Sequence, residues 1–400
     1  MRVAGIVAEY HPFHNGHAYH IEKTRSRDGG EATHVVAVMS GSFVQRGEPA
    51  ILTKFDRARA ALAGGADLVL ELPVPWSLAS AEKFAFGAVS MLESLGCVDM
   101  LSFGSETGTI APLERAVLAM ENERFHTLLK YFMGTGISFP EAQQKALTEV
   151  AGASCGDLLN TPNNTLGIEY LKALRRLDSS IAPFTVERYR VAHDSEVPLG
   201  NIASATYIRS LITADRLTAA LPFMPGGCGK ALSDTAAAGR CCAVAERLER
   251  AVLSRLRSLS IEEIAALPGV SEGLENRVYN AIRTAQTLTA LEEKIKTKRY
   301  PLTRVRRLIW NAYLGIPRTD AMARVPYLRI LAANRRGKEI LSAAKPTVPL
   351  LYRASQVPKL DAECRALWDL ECRATDLHAL AFPTPLPCGA DHTTGIISEE

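Results

Sequence analysis

Gly5-Ile6-Val7-Ala8-Glu9-Tyr10-His11-Pro12-Phe13-His14-Asn15-Gly16-His17 is the stretch that decides the fold. The run Val3–Ala8 is apolar at every position, as in a strand buried on both faces of a parallel sheet. It ends in a proline-containing loop, and His14-Asn15-Gly16-His17 then opens a helical pattern that runs on through Ala18, Tyr19 and His20. A buried strand feeding a helix N-terminus makes an anion site, because unpaired N–H groups and the positive dipole end face the ligand. His14 and His17 fall on one face of the first turn, so both rings can reach the same phosphate. Gly16 lets the backbone come close, and His11 and His20 add donors nearby. The competing readings are a structural turn with surface histidines, or a metal site. A metal wants carboxylate or cysteine partners at ligand spacing, and only Glu9 is close.

Outward from this stretch, β-branched runs alternate with amphipathic patterns up to about residue 210. Arg2–Ala8, Thr33–Ser40, Asp67–Leu72, Val98–Phe103 and Pro183–Arg190 read as strands. Asp56–Ala63, Ala79–Leu95, Pro112–Glu121 and Ser204–Ala214 read as helices. Strands alternating with crossover helices predict an α/β fold with a doubly wound parallel sheet. Ligands of such sheets sit beyond the carboxyl ends of the strands. That rule gathers Ala8 onward, Met39–Arg46 and Phe103–Glu106 around one crevice.

After about residue 215 the strand signal fades. Pro222–Gly229, with two prolines and Gly226-Gly227, reads as a linker. Beyond it Ala236–Leu256, Ser260–Leu267, Leu274–Glu293, Leu302–Leu314, Ala321–Ala333, Gly337–Ala344 and Asp361–His378 carry helical periodicity, with room for a short strand at Tyr327–Ala332. The expected organisation is a nucleotide-binding domain over 1–215, a mostly α-helical domain over 230–382 and a loose tail over 383–400.

Hydrophobic content of 47% and charged content of 22% are those of an ordinary globular protein, and a net charge of +3 does not by itself mark a nucleic-acid binder. No apolar run reaches the about 18 residues of a membrane helix, and the start carries no signal-peptide pattern. The eight cysteines form no Cys-x-x-Cys pair. The expectation is therefore reduced thiols in a cytoplasmic protein. The neighbours Cys241 and Cys242 could form a redox pair, though two ordinary thiols explain them more simply.

Two further clusters carry chemistry. Ala203-Ser204-Ala205-Thr206-Tyr207-Ile208-Arg209 offers hydroxyls and a guanidinium at a helix start, a candidate phosphate clamp of Ser204, Thr206 and Arg209. Lys294, Lys296, Lys298, Arg299, Arg304, Arg306 and Arg307 form a basic stretch without an acid between Lys294 and Arg307, with Tyr300 and Trp310 interleaved. Phosphate contacts from such a stretch supply salt-dependent affinity for RNA, and an aromatic can stack on an unpaired base. An ordinary charged helix face is the plainer alternative. Lys54, Asp56 and Arg57 could meet substrate or nucleic acid, or could be a solvated helix start.

The His-x-Gly-His turn paired with the late Ser-Ala-Thr-x-Ile-Arg segment resembles the nucleotidyltransferase superfamily. Longer blocks, Met39–Ala50, Gly65–Pro73, Ser102–Glu106, Pro162–Tyr170, Ile202–Arg209 and Thr297–Arg304, resemble the bacterial tRNA(Met) cytidine acetate ligase family across most of the chain. The resemblance implies a nucleotidyltransferase-like (Rossmann-type) domain and an ATP-dependent ligase. Acetate would attack the α-phosphate of ATP to give acetyl-adenylate, and the wobble cytidine of elongator tRNA(Met) would take the acetyl group as N4-acetylcytidine. It implies that His14 and His17 serve the adenylate step. ATP would be held by the stretch Val7, Ala8, Glu9, Tyr10, His11, Pro12, Phe13, His14, Asn15, Gly16, His17, Ala18, Tyr19 and His20, with Gly104, Asn163 and Arg188. Magnesium is expected to accompany ATP, although no dedicated carboxylate cluster is evident. No protein partner is implied. A cofactor-type transferase acting on a small acceptor, and a non-catalytic RNA-binding adaptor, are the alternatives; the basic stretch weighs against the first and the intact His14 and His17 against the second.

Overall fold

A computed structural model describes residues 1–188, 198–271, 273–318 and 323–398. Its centre is a seven-stranded sheet: β1 (Val3–Ala8), β2 (His34–Ser40), β3 (Leu68–Leu72), β4 (Met100–Ser105), β5 (Ala182–Glu187), β6 (Leu328–Ala333) and β7 (Leu350–Leu351). The strand order is β5-β4-β1-β2-β3-β6-β7. The first five run parallel, with β1 in register with β2 from Val3 opposite His34 to Ala8 opposite Met39. The chain winds one way from β1 to β3, then returns to lay β4 and β5 on the other side of β1. That reversal opens a crevice at the carboxyl ends of β1 and β4, the position the sequence pattern predicts.

The crossover helices explain their own boundaries. Helix α1 (Asn15–Arg25) follows β1, α2 (Lys54–Ala63) is capped by Thr53, and α3 (Ala81–Leu95) is capped by Ser80 and closed by left-handed Gly96. Helix α4 (Pro162–Arg176) covers β4. Gly64, just past α2, leaves room for Phe13: a Cβ there would lie 2.2 Å from the ring. Phe13 in turn packs on Tyr10 and His17, with ring centroids 4.7 and 5.4 Å apart. Gly64→Ala is therefore expected to cost about 1–3 kcal/mol by overpacking. A urea transition unmoved by the substitution would show that the ring has space to shift.

The second half departs from expectation in several places, among them Ala236–Leu256, where the α-helix ends at Ala237 and resumes only at Glu249. Pro222–Gly229 is no linker, because Gly226–Ala237 is a helix packed on α2. The periodic run Leu274–Glu293 breaks into Leu274–Thr284 and Leu288–Ile295, since Thr287 caps the second helix by accepting from the Ala290 N–H. Within the pattern Ala321–Ala333 no helix forms among the described residues, and the short strand allowed at Tyr327–Ala332 is borne out as the wholly buried β6, antiparallel to β3; an apolar run of this length has no period that separates helix from strand. The sheet thus crosses the boundary expected near residue 215. The tail is also fastened. Ala390–Thr393 is helical, the Ile397 N–H donates to the Leu331 carbonyl at 3.0 Å, and the Ala333 N–H donates to the Ile397 carbonyl at 2.9 Å. The helix Leu302–Leu314, called α5 below, agrees with the pattern end to end.

Candidate active site

The first turn of α1 is built by histidine. His14 is its N-cap, and its Nδ1 accepts from the Gly16 N–H at 3.0 Å; the His17 Nδ1 accepts from the His14 N–H at 3.2 Å. A ring nitrogen that accepts carries no proton, so each neutral ring holds its proton on Nε2. The rings stack with centroids 3.8 Å apart and both line the cleft. Gly16 is required here, since a Cβ would sit 2.9 Å from His14 Cε1. The sequence reading expected helix N–H groups to meet the anion. Instead the Gly16 N–H is taken by His14, and the His17 N–H donates to the His14 carbonyl at 2.9 Å.

Behind this pair lies a charged layer. His11 accepts from the Ile51 N–H at Nδ1, 2.9 Å, and its Nε2 meets Glu48 at 3.2 Å. Burial pushes its pKa down to about 4, so the ring is neutral and donates to Glu48. Burial alone would raise Glu48, but the His11 hydrogen bond and the Arg209 guanidinium, 3.3 Å away, outweigh it and hold the carboxyl at about 2. Arg209 also donates to the His11 carbonyl at 3.0 Å and to the Thr206 hydroxyl at 3.3 Å. Glu9 accepts from the Gln45 N–H at 2.6 Å, and its carbonyl accepts from Arg57, also at 2.6 Å. Burial raises the Glu9 carboxyl pKa. His20 reaches Ser102 at 2.9 Å and is likewise pushed down by burial to about 4.

The opposite rim joins Gly104 at the end of β4, Asn163 at the start of α4 and Arg188 after β5. Asn163 donates to Glu106 at 2.6 Å and accepts from Arg188 at 2.8 Å. The same Glu106 accepts from the Asn164 N–H at 2.8 Å.

The structure sorts the predicted residues. Val7 to His11, His14, Gly16, His17, Tyr19 and His20 line one cleft with Gly104, Asn163, Arg188, Ser204 and Arg209. Pro12, Phe13, Asn15 and Ala18 do not; Asn15 instead donates to the carbonyls of Asn201 and Pro222. Ser204 caps its helix by accepting from the Tyr207 N–H, and Thr206 is exposed outside the cleft wall. Lys54, Asp56 and Arg57 are buried, which removes both the solvated and the substrate-contact readings. Gln45, Glu48 and Glu106 were missed as site residues, although each sits inside a quoted block.

The cleft encloses about 1180 Å³, above the roughly 300–1,000 Å³ of a small-molecule site. Arg299, Arg304 and Arg307 form its far wall. Arg307 donates to the Gln45 carbonyl at 3.2 Å and Arg304 to the Gly269 carbonyl at 2.8 Å. Lys294, Lys296, Lys298 and Arg306 lie outside the wall; Lys296 pairs with Glu293 and Arg306 with Glu292. Tyr300 and Trp310 are only 8% and 3% exposed, so neither stacks on a base as the sequence suggested. Among the described residues no three His, Cys, Asp or Glu side chains converge on a metal position, and no helix is long and apolar enough to cross a membrane.

A model of the HIGH Nucleotidyl Transferase family matches residues 1–389. The tRNA(Met) cytidine acetate ligase of Acetivibrio thermocellus is 39% identical, covering 99% of this chain and 100% of that protein. That of Alkaliphilus metalliredigens is 40% identical over 95% and 94%. The crystal structure of Thermotoga maritima TmcAL bound with α-thio ATP superposes with a TM-score of 0.91 at 31% identity, covering all of both chains. The chain belongs to the tRNA(Met) cytidine acetate ligase family of HIGH nucleotidyl transferases.

Proposed function

We propose that the protein activates acetate with ATP and acetylates the wobble cytidine of elongator tRNA(Met). An acetate oxygen bonds to the α-phosphorus as the bond to pyrophosphate breaks. The cytidine N4 then attacks the acetyl carbonyl, AMP leaves with the bonding pair, and N4 loses a proton. The observation that carries this reading is the His14–His17 pair, whose Nδ1 atoms are engaged by backbone N–H groups. Donors fixed before the reaction stabilise charge building on phosphoryl oxygens without reorganising. The size of the cleft supports a second, bulkier substrate, and its arginine wall supports RNA.

The test is purified protein with ATP, labelled acetate and bulk bacterial tRNA, followed by nucleoside analysis. Labelled N4-acetylcytidine is the expected product; its absence sinks the reading, and pyrophosphate release with a small phosphorylated acceptor would favour a cofactor-type transferase. Lys294 and Lys298 are exposed, and we propose that they extend the RNA surface beyond the cleft. Reversing both to Glu is expected to weaken tRNA binding by about tenfold and to flatten its salt dependence by about two counterions. Acetate-dependent ATP–pyrophosphate exchange should persist. An unchanged salt slope would remove these lysines from the interface.

A further inference from the structure

Helix α5 turns Arg304, Arg307, Leu308 and Asn311 to the cleft, spaced as one helical face, while Val305, Ile309 and Ala312 enter the core. Asn311 is the unusual member. It is 5% exposed, and its side-chain amide meets no hydrogen-bond partner among the described residues although it lines the cleft. Only its carbonyl is engaged, by the Ile316 N–H at 2.9 Å and by the Gly315 N–H that closes the helix. The amide therefore reaches water only through the cleft, where a ligand can take over its donor and its acceptor.

Its surroundings define that ligand. Leu308 and Ile316 give an apolar flank. The facing turn is held rigid by Arg304 on the Gly269 carbonyl and by Arg318 on the Val270 carbonyl at 2.6 Å. Arg307, one turn before Asn311 and so about 6 Å away along the axis, joins through Gln45 to Glu9 on the nucleotide floor. A flat ring with hydrogen-bonding edges, flanked by phosphates and close to the adenylate, suits this wall. A single phosphate would leave the apolar flank unused.

We propose that Asn311 seats the unstacked pyrimidine base of an RNA loop, its amide bonding the base edge while Arg304 and Arg307 meet flanking phosphates. A carboxamide offers both a donor and an acceptor: Nδ2–H suits the cytosine N3, and Oδ1 suits one N4–H, which would hold the amine facing the acetyl group. This inference rests on the acetyl-transfer reading above. A carboxamide can turn over to serve uracil too, so the role assigned is seating; the reaction's need for an amine selects cytosine.

The experiment compares wild type, Asn311→Ala and the isosteric Asn311→Asp on whole tRNA and on an anticodon stem-loop RNA. Both variants should acetylate with kcat/KM lowered by about tenfold or more, as for a lost hydrogen bond to substrate. Acetate-dependent ATP–pyrophosphate exchange should stay within about twofold of wild type, and thermal midpoints should show both folded. Wild-type acetylation in either folded variant overturns the proposal. So does a parallel fall in exchange, which would place the amide in nucleotide binding or in the fold. Failure of the wild type itself to acetylate would overturn the underlying reading as well, and is visible before any variant is made.

Discussion

His14→Ala or His17→Ala is expected to slow acetate-dependent ATP–pyrophosphate exchange by about a hundredfold or more, the usual consequence of losing one preorganised donor to a developing oxyanion. Affinity for tRNA should change by less than about threefold, because phosphate contacts elsewhere dominate it. The His14 variant needs a companion. That ring also caps α1, and alanine at an N-cap costs about 1 kcal/mol. His14→Asn keeps a side-chain acceptor for the Gly16 N–H while removing the Nε2–H. Stability should therefore return in His14→Asn while exchange stays low. Recovery of exchange with the cap would reduce His14 to a structural residue. The stacked rings lie 3.8 Å apart; on the proposal that both serve one phosphoryl group, the double variant should lose less than the product of the single losses. Fully multiplicative losses would mean that the rings work separately.

The part of this site that could be read from sequence is the part written in consecutive residues. A wholly apolar β1 ending at Ala8 and a His-x-Gly-His turn are local facts, and they placed the crevice correctly at the end of β1. The tautomers were not legible, because they depend on which backbone N–H meets each Nδ1. Arg209 read as a phosphate clamp because a guanidinium at a helix start often is one. That it leans on Glu48 and the His11 carbonyl needed the fold, since the contact joins positions far apart in the chain. Charge misled in the same way: Lys54 and Arg57 look solvated in a string of letters, yet their partners come from β3, from the tail and from the backbone of Glu9 and Gly41. The aromatic residues of the basic stretch failed for a related reason. Periodicity tells which residues share a helix face, and only packing tells which face is inside; here Trp310 points inward and Asn311 lines the cleft.

Lys54→Met is expected to cost about 3–5 kcal/mol of folding stability, because it strands carboxylates in the core. Lys54 Nζ lies 2.6 Å from Glu71 and 2.7 Å from Asp391, while Arg329 lies 3.0 Å from Glu71 and 2.5 Å from Asp391. Two cations and two anions thus close a buried ring that ties the start of α2, β3, β6 and the C-terminal helix together. Without Lys54, one guanidinium faces two carboxylates. Removing a negative partner as well should restore part of the loss, so Lys54→Met with Asp391→Asn is expected to be less destabilised than the two single variants summed. Strict additivity in urea midpoints would show that the ring is not coupled. Acid provides an independent reading. Burial alone would raise the Asp391 carboxyl, but Lys54 and Arg329 outweigh it and hold it at about 2. The unfolded value is near 3.9, so the stability from this group is complete above about pH 4 and is lost as pH falls toward 2. Glu371 pulls the other way: burial and then the Glu71 charge raise it, so its cost grows as pH climbs through the ordinary carboxylate range and eases in acid. Lys54→Met takes away one of the two cations that depress Asp391 and leaves Glu371 more protonated. Both changes reduce the stability that the variant loses in acid, so its deficit against the wild type should be largest near neutral pH and should narrow as pH falls toward about 2. A deficit that stays constant down to about pH 2 would mean that Arg329 alone holds Asp391.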